Sequence, residues 1–316
     1  MRDIVPIPQS TFITRCIRLL AICYIPFAAI LIPAYLAIVV FPLGEGPDEQ
    51  SHFDHAAYKF ARGLTPIKAR EGLYLPGRGP LGQAHQPPLY YWLGAAVFSP
   101  FVDRADVASF IEYRAGISNH DNGYFLGGTN RCTWVNDLTR SEVVPETPRV
   151  QRALFAYRLT GAALLLLSVV CSYFTVRLLI PDRQGIAIAA ALFHLAMPTA
   201  HWRSAFINND NLVVAICSLA FVAASIYFVS RKERLPLLSA AMGLIAAGAF
   251  LSKYNGIAAI GYCGIAILLK PSQRFACKIL DGIIALTVFG LLVADDLYEN
   301  YFIDGDLFSI EFTKEV

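Results

Sequence analysis

Two adjacent carboxylates, Asp48 and Glu49, follow the first long apolar stretch of the sequence. A carboxylate placed at a membrane interface can act as a general base toward an acceptor hydroxyl. The same two residues are also typical of a helix start, because one acid caps free N–H groups and the next is favoured by the helix dipole. Only one of the two is needed as a cap, so both interpretations stay open.

Two histidines lie just after these acids. His52 and His55 are three residues apart, close enough on a helix to share a ligand. Carboxylate and imidazole ligands suit several divalent ions, but no HExxH or DxD pattern accompanies them. We therefore expect solvated histidines at the membrane interface, with His52 also a candidate to bind substrate. We expect no metal site or other cofactor, with a divalent ion left as an unsupported alternative.

The run GQAHQPPLYYW at 82–92 places two polar side chains, His85 and Gln86, before the aromatic pair Tyr90 and Tyr91. Aromatic faces and amide groups can bind a sugar or a lipid headgroup. Tyr and Trp are also enriched at membrane interfaces, where they form an aromatic belt. The composition of the run does not decide between these two interpretations.

The segment HWRSAFINNDNL at 201–212 brings Arg203, Asn209 and Asp210 close together in sequence, at the start of an apolar run. Asp210 is a good N-cap candidate for a helix that begins in the NNDN turn. It is equally a candidate to bind substrate or to orient a cation.

Lys253 and Tyr254 lie in LSKYNG at 251–256, almost between two apolar runs. A charge within or beside the hydrocarbon is costly, so Lys253 is a candidate functional residue. Snorkelling of the ammonium group to the interface is the alternative.

The unusually apolar composition of the chain predicts the helices that carry these residues. Of 316 residues, 56% are hydrophobic and 16% are charged, against roughly 25% charged in soluble domains. The mean hydropathy of +0.50 excludes an ordinary soluble enzyme. A net charge of +2 gives no reason to expect a nucleic-acid partner.

Seven apolar stretches approach or exceed the length of about 20 residues that a spanning helix needs. We therefore predict an all-α polytopic membrane protein with about seven transmembrane helices, and with membrane lipid as a partner. The predicted organisation is residues 1–18 as a terminal segment, 19–42 as the first span, 43–151 as a large loop, 152–297 as spans two to seven, and 298–316 as a final segment.

Basic residues predict the orientation of the chain. Eleven Lys and Arg residues fall in one set of short connections and three in the other set. By the positive-inside rule, the N-terminus is cytoplasmic and the loop 43–151 is external. We expect a multi-pass protein of a bacterial inner (plasma) membrane.

The large loop is expected to contain interfacial helices. Residues 88–102 are apolar over about 15 positions, too short to span, and counting them as a span would reverse the charge pattern. Phe53, Ala56, Ala57 and Phe60 form one apolar helical stripe, from which His52, His55 and Lys59 are excluded. This predicts an amphipathic helix on the outer membrane surface, capped by Asp48 and ended by Gly63.

Taken together, these motifs resemble the membrane glycosyltransferases of the GT-C superfamily, which includes the dolichyl-phosphate-mannose protein mannosyltransferases and the lipid A aminoarabinose transferases. The chain is also similar to an uncharacterised bacterial membrane family grouped with them. The resemblance is carried by PDEQSH, HQPPLYYWLGA, Arg158, NNDNL at 208–212, SKYNG at 252–256 and the terminal DDLYENYFIDGDLF. Members of the superfamily usually continue into further helices, so the resemblance implies a fragment, a truncated product or a minimal version.

The resemblance implies an inverting transfer of a sugar from a polyprenyl-phosphate donor to an acceptor hydroxyl or amine on a protein, lipid or glycan. It implies Asp48 as the base, Glu49 as a supporting acid, and Lys253 with Arg203 as partners of the donor phosphate. Asp210 would orient a cation or the acceptor. The rival functions are a transporter of a lipid-linked or small polar solute and an inactive scaffold or fragment.

Overall fold

A computed structural model describes residues 24–40, 49–62, 86–108, 147–271 and 273–304. Within these ranges the regular elements are helical, as the composition predicts. They are α1 Tyr24–Val40, α2 Glu49–Arg62, α3 Leu89–Phe98, α4 Thr147–Leu179, α5 Gln184–Ala196, α6 Pro198–Ser204, α7 Asn209–Val229, α8 Pro236–Ser252, a 3-10 helix Tyr254–Ile257, α9 Ala258–Leu269 and α10 Phe275–Asp304.

Three of these helices, α4, α7 and α10, are long and apolar enough to cross a membrane. The helices α5 and α6 meet at a 59° bend and count as a fourth if the pair is one span. The other apolar helices have 10–17 residues, short of the roughly 20 that a span needs. The structure therefore supports three or four spans among the described residues, and the expected total of about seven stays a prediction.

Two boundaries differ from the expected ones. The helix α4 begins at Thr147, within the predicted loop, and α10 continues to Asp304, past the predicted end at 297. Val150 and Ala153 in the early turns of α4 are buried in a core with Phe53 and Phe98, so packing extends the helix beyond its apolar run.

Close helix packing depends on small residues in the apolar segments. A Cβ on Gly161 would collide with the Ser204 carbonyl, and one on Gly243 with the Ala285 carbonyl. Small side chains let helix backbones approach in this way when apolar burial alone gives no preference for protein over lipid. The contacts bring α4 against α6 and α8 against α10.

The helix α2 is not the surface helix that its apolar stripe predicts. Phe53 and Ala57 of the stripe are buried, but so are His52, His55 and Lys59 on the other face. The second face is covered because α3 folds back on α2, with Tyr91 against both histidines and Trp92 against the ammonium of Lys59. Asp48 and Gly63, the expected ends of the helix, lie outside the described residues.

The polar connections gather at two ends of the bundle. At one end, Asn209 donates hydrogen bonds to both Gln86 and the Ser252 carbonyl, which joins the starts of α3 and α7 to the end of α8. At the other end, Lys270 donates to the Lys232 carbonyl, which joins the connection after α7 to the end of α9. The candidate residues of the sequence that the structure describes belong to the first end.

Candidate functional site

A fully buried ion pair joins the start of α2 to α4. The Arg158 guanidinium donates two hydrogen bonds of 2.6 Å to the two carboxylate oxygens of Glu49, and both side chains are 0% exposed. A third nitrogen, Nη1, donates to the Ala37 carbonyl at 2.7 Å, in the wide final turn of α1. The Ile207 backbone N–H donates to the Glu49 carboxylate at 3.2 Å. Four parts of the chain therefore meet at this ion pair.

These contacts make Glu49 a positioning residue. Both of its oxygens are engaged with Arg158, and Ile207 adds a further donor, so the carboxylate fixes where α2 begins. Asp48 directly precedes α2 and lies outside the described residues, as does His85. Arg158 was not among the candidate site residues. A cationic side chain within a long apolar run was the available signal, since such a charge needs an internal partner.

The N-cap of α7 is Asn208, which corrects the expectation that Asp210 caps this helix. Asn208 has extended backbone angles, and its side-chain oxygen accepts a hydrogen bond of 2.7 Å from the Asp210 N–H. Because Asn208 already caps the helix, the Asp210 carboxylate is not needed as a cap and can bind another partner.

That partner is Lys253, the residue between α8 and the 3-10 helix. Its ammonium donates to Asp210 Oδ1 at 2.7 Å, and the two side chains are 29% and 33% exposed, respectively. Asp210 therefore neutralises the ammonium group of Lys253. The pair gives Lys253 a structural contact, and the exposure of both side chains keeps them accessible to a ligand.

Arg203, in the last turn of α6, is half-buried beside this pair. Its Nε atom is buried and has no hydrogen-bond partner among the described residues. Its backbone carbonyl accepts a 3.2 Å hydrogen bond from the Asn211 side chain, which joins the end of α6 to the first turn of α7, where Asp210 lies. Buried polar atoms are nearly always hydrogen-bonded, so a buried donor of this kind is suited to receive an anionic ligand.

Hydrogen bonds among amide, phenol and backbone groups hold the segments that carry Asp210 and Lys253 in place. Asn209 donates to Gln86 Oε1 at 3.2 Å and to the Ser252 carbonyl at 3.4 Å. The Asn208 N–H donates to the Tyr90 hydroxyl at 2.8 Å. Gln86, Asn209 and Tyr90 therefore serve to set the relative positions of Asp210 and Lys253.

The aromatic pair on α3 is unavailable as a stacking surface. Tyr90 and Tyr91 are buried, with Tyr90 stacked on Tyr157 and Tyr91 stacked on His55 at 3.5 Å between ring centroids. Burial raises the pKa of the Tyr90 hydroxyl well above its ordinary value. Neither the expected sugar platform nor the aromatic belt fits these positions.

The other candidate side chains also form contacts inside the protein. His52 forms a 2.9 Å hydrogen bond with the Tyr91 hydroxyl and is buried, so the expectation of solvated histidines is wrong for both His52 and His55. Tyr254 accepts a 2.7 Å hydrogen bond from Asn300 on α10. Across the described residues, no three His, Cys, Asp or Glu side chains are grouped so that they could hold a metal ion.

Comparison of the chain with protein-family models, curated proteins and solved structures finds no match. At one end of the bundle the structure assembles a half-buried guanidinium and an accessible carboxylate–ammonium pair, near Ile207, whose N–H binds Glu49 at the start of α2.

Proposed function

We propose that this membrane protein is a glycosyltransferase that moves a sugar from a polyprenyl-phosphate donor to an acceptor hydroxyl or amine. The observation that carries the proposal is the buried Nε donor of Arg203, which has no hydrogen-bond partner within the described ranges, together with the Asp210–Lys253 pair. Two cations at one end of an apolar bundle can neutralise a lipid phosphate whose polyprenyl chain lies along the helices. Half-exposed side chains leave room for the headgroup.

The chemistry needs a base and a cationic site for the leaving group. The acceptor oxygen or nitrogen attacks the anomeric carbon, the bond from that carbon to the phosphate oxygen breaks, and the acceptor proton passes to a carboxylate. The departing phosphate is stable as an anion, so Arg203 and Lys253 suffice to stabilise it without a general acid. A single displacement inverts the configuration at carbon.

Asp48 is the proposed base, and the buried pair supports that assignment. Glu49 is bound by Arg158, so the start of α2 has a fixed position relative to α4 and Ile207. A carboxylate one residue earlier would be positioned by the same contacts. Preorganised placement of a base is worth more to catalysis than its intrinsic strength.

The test uses purified protein in proteoliposomes with a panel of radiolabelled polyprenyl-phosphate hexoses and an extract of membrane acceptors. We expect sugar transfer by the wild type, none by Asp48→Asn, and strongly reduced transfer by Arg203→Gln. Arg152→Gln removes an exposed arginine from α4 and serves as the matched control with unchanged activity. Normal transfer by Asp48→Asn would reduce this carboxylate to a helix cap, because Asn caps about as well as Asp.

A transporter is the second candidate, and one observation favours it. The 59° break between α5 and α6 is the kind of interrupted helix that lines solute sites in transporters. Transport would move a labelled lipid-linked sugar across the bilayer with its sugar–phosphate bond intact. Bond cleavage with release of polyprenyl phosphate would decide for the transferase.

A further inference from the structure

The end of the bundle opposite the candidate site is held together by a buried carboxylate. Asp281 on α10 is buried, and its Oδ2 accepts hydrogen bonds from Tyr227 at 2.8 Å, from Gln273 at 2.7 Å and from the Leu235 N–H at 3.4 Å. Lys270 is buried beside this group, 4.4 Å above the Tyr227 ring. These contacts fix two segments against each other, the connection 230–235 and residues 273–278, which include the first turn of α10.

The two segments, which we call the basic loop pair, carry a strong excess of positive charge. They contain five basic residues and a single acid, Glu233. Glu233 forms an ion pair with Arg274, which lowers the pKa of this carboxyl, and no other acid lies in the two segments. The exposed cations are Arg231, Lys232, Arg234 and Arg274.

Three of these cations are available to a ligand. Within the described ranges, the side chains of Arg231, Lys232 and Arg234 form no hydrogen bond or ion pair, and all three are exposed. Because the Asp281 network already orders the backbone, binding an anion here would cost little conformational entropy.

Exposed apolar side chains adjoin the same surface. Leu237 at the start of α8 is 86% exposed, Phe275 at the start of α10 is 71% exposed, and Leu269 at the end of α9 is 66% exposed. A free inorganic anion would satisfy the cations alone. A lipid with an anionic headgroup would satisfy the cations with its phosphate and cover the apolar side chains with its acyl chains.

We propose that the basic loop pair is a binding surface for the headgroup of an anionic phospholipid. The phosphodiester accepts hydrogen bonds from the Arg231 and Arg234 guanidinium groups, and Lys232 adds a compact positive charge. A zwitterionic headgroup carries its own cation, which these residues repel. This surface is separate from the proposed transfer site and does not depend on the transfer reaction.

The test measures lipid binding to the full chain in neutral detergent by native mass spectrometry, with phosphatidylglycerol as probe and phosphatidylcholine of the same acyl chains as comparison. We expect selective binding of phosphatidylglycerol by the wild type. The triple variant Arg231→Gln, Lys232→Gln, Arg234→Gln should bind it about a hundredfold more weakly, at about fivefold per removed cation.

Two further variants make the outcome decisive. The matched control Arg104→Gln, Arg149→Gln, Arg152→Gln removes three exposed charges from the other end and should bind as the wild type does. Glu233→Gln removes the only acid of the loop pair and should strengthen binding several-fold, a gain that misfolding cannot produce. Equal binding of the two lipids, wild-type affinity in the first triple variant, equal losses in the two triple variants, or no gain in Glu233→Gln would each overturn the proposal.

Discussion

The Glu49–Arg158 and Asp210–Lys253 ion pairs lie at the same end of the bundle but differ in their access to solvent. Both side chains of the first pair are 0% exposed, whereas those of the second are about one third exposed. The first is bidentate and has additional partners in Ala37 and Ile207, while the second has one hydrogen bond. The same kind of ion pair, a carboxylate with a basic side chain, therefore serves two purposes within one site.

The two ion pairs differ in the free-energy cost of losing one partner. A buried charge that loses its partner cannot regain water, so a buried pair is sensitive to any single substitution. A partly exposed pair contributes little to stability, and either member can exchange its partner for a ligand. We infer that Glu49–Arg158 fixes the backbone at the start of α2 and that Asp210–Lys253 is the part open to substrate.

The largest expected effect comes from breaking the buried pair. Arg158→Met leaves the Glu49 carboxylate buried without its cation and should lower the free energy of unfolding by about 3–5 kcal/mol. Thermal unfolding in detergent measures this. The double variant Glu49→Leu, Arg158→Met has no uncompensated charge and should recover much of the loss. An unchanged melting temperature in Arg158→Met would contradict the assignment of this pair as the fixed part of the site.

A smaller effect is expected from the exposed pair, and it should appear in binding. Lys253→Met keeps most of the apolar stem and removes the charge, so stability should change by less than about 1 kcal/mol. Affinity for a polyprenyl-phosphate sugar should fall by about 1.5–3 kcal/mol, or roughly ten- to a hundred-fold, if the ammonium contacts the phosphate. Arg152→Gln, an exposed arginine of α4 outside both proposed binding surfaces, is the control. Wild-type affinity in Lys253→Met would leave the lysine with its structural contact to Asp210 alone.

The smallest effect concerns Lys59 on α2, a buried cation. Burial lowers the pKa of its ammonium from 10.5 to about 8, against the opposing influence of Asp296 and Glu299 on α10. The unfolded chain then binds more protons than the folded one between these two values, so stability rises with pH across that window.

Relative to Lys59→Met, the wild type should therefore gain about 1 kcal/mol in the free energy of unfolding between about pH 8 and pH 9.5. Thermal unfolding of the two proteins at both pH values measures the difference. A gap that stays constant with pH would show that Lys59 keeps its ordinary pKa in the folded protein.

The sequence alone determined the helical character of the protein and where its apolar segments lie. Long apolar runs have few ways to satisfy their backbone groups, so α4, α7 and α10 follow from composition. It also identified α3 as too short to span, and it placed Lys253 at a break between two helices. Each of these features depends on residues that are neighbours along the chain.

Only the tertiary structure decided which polar groups meet. Glu49 and Arg158 are 109 positions apart, and Asp210 and Lys253 are 43 apart, so no local pattern pairs them. The burial of His52 and Tyr91 depends on α3 folding back onto α2, which a period of apolar residues on α2 cannot reveal. The period of apolar residues shows which face of a helix is apolar, whereas the burial of the helix depends on every element that packs around it.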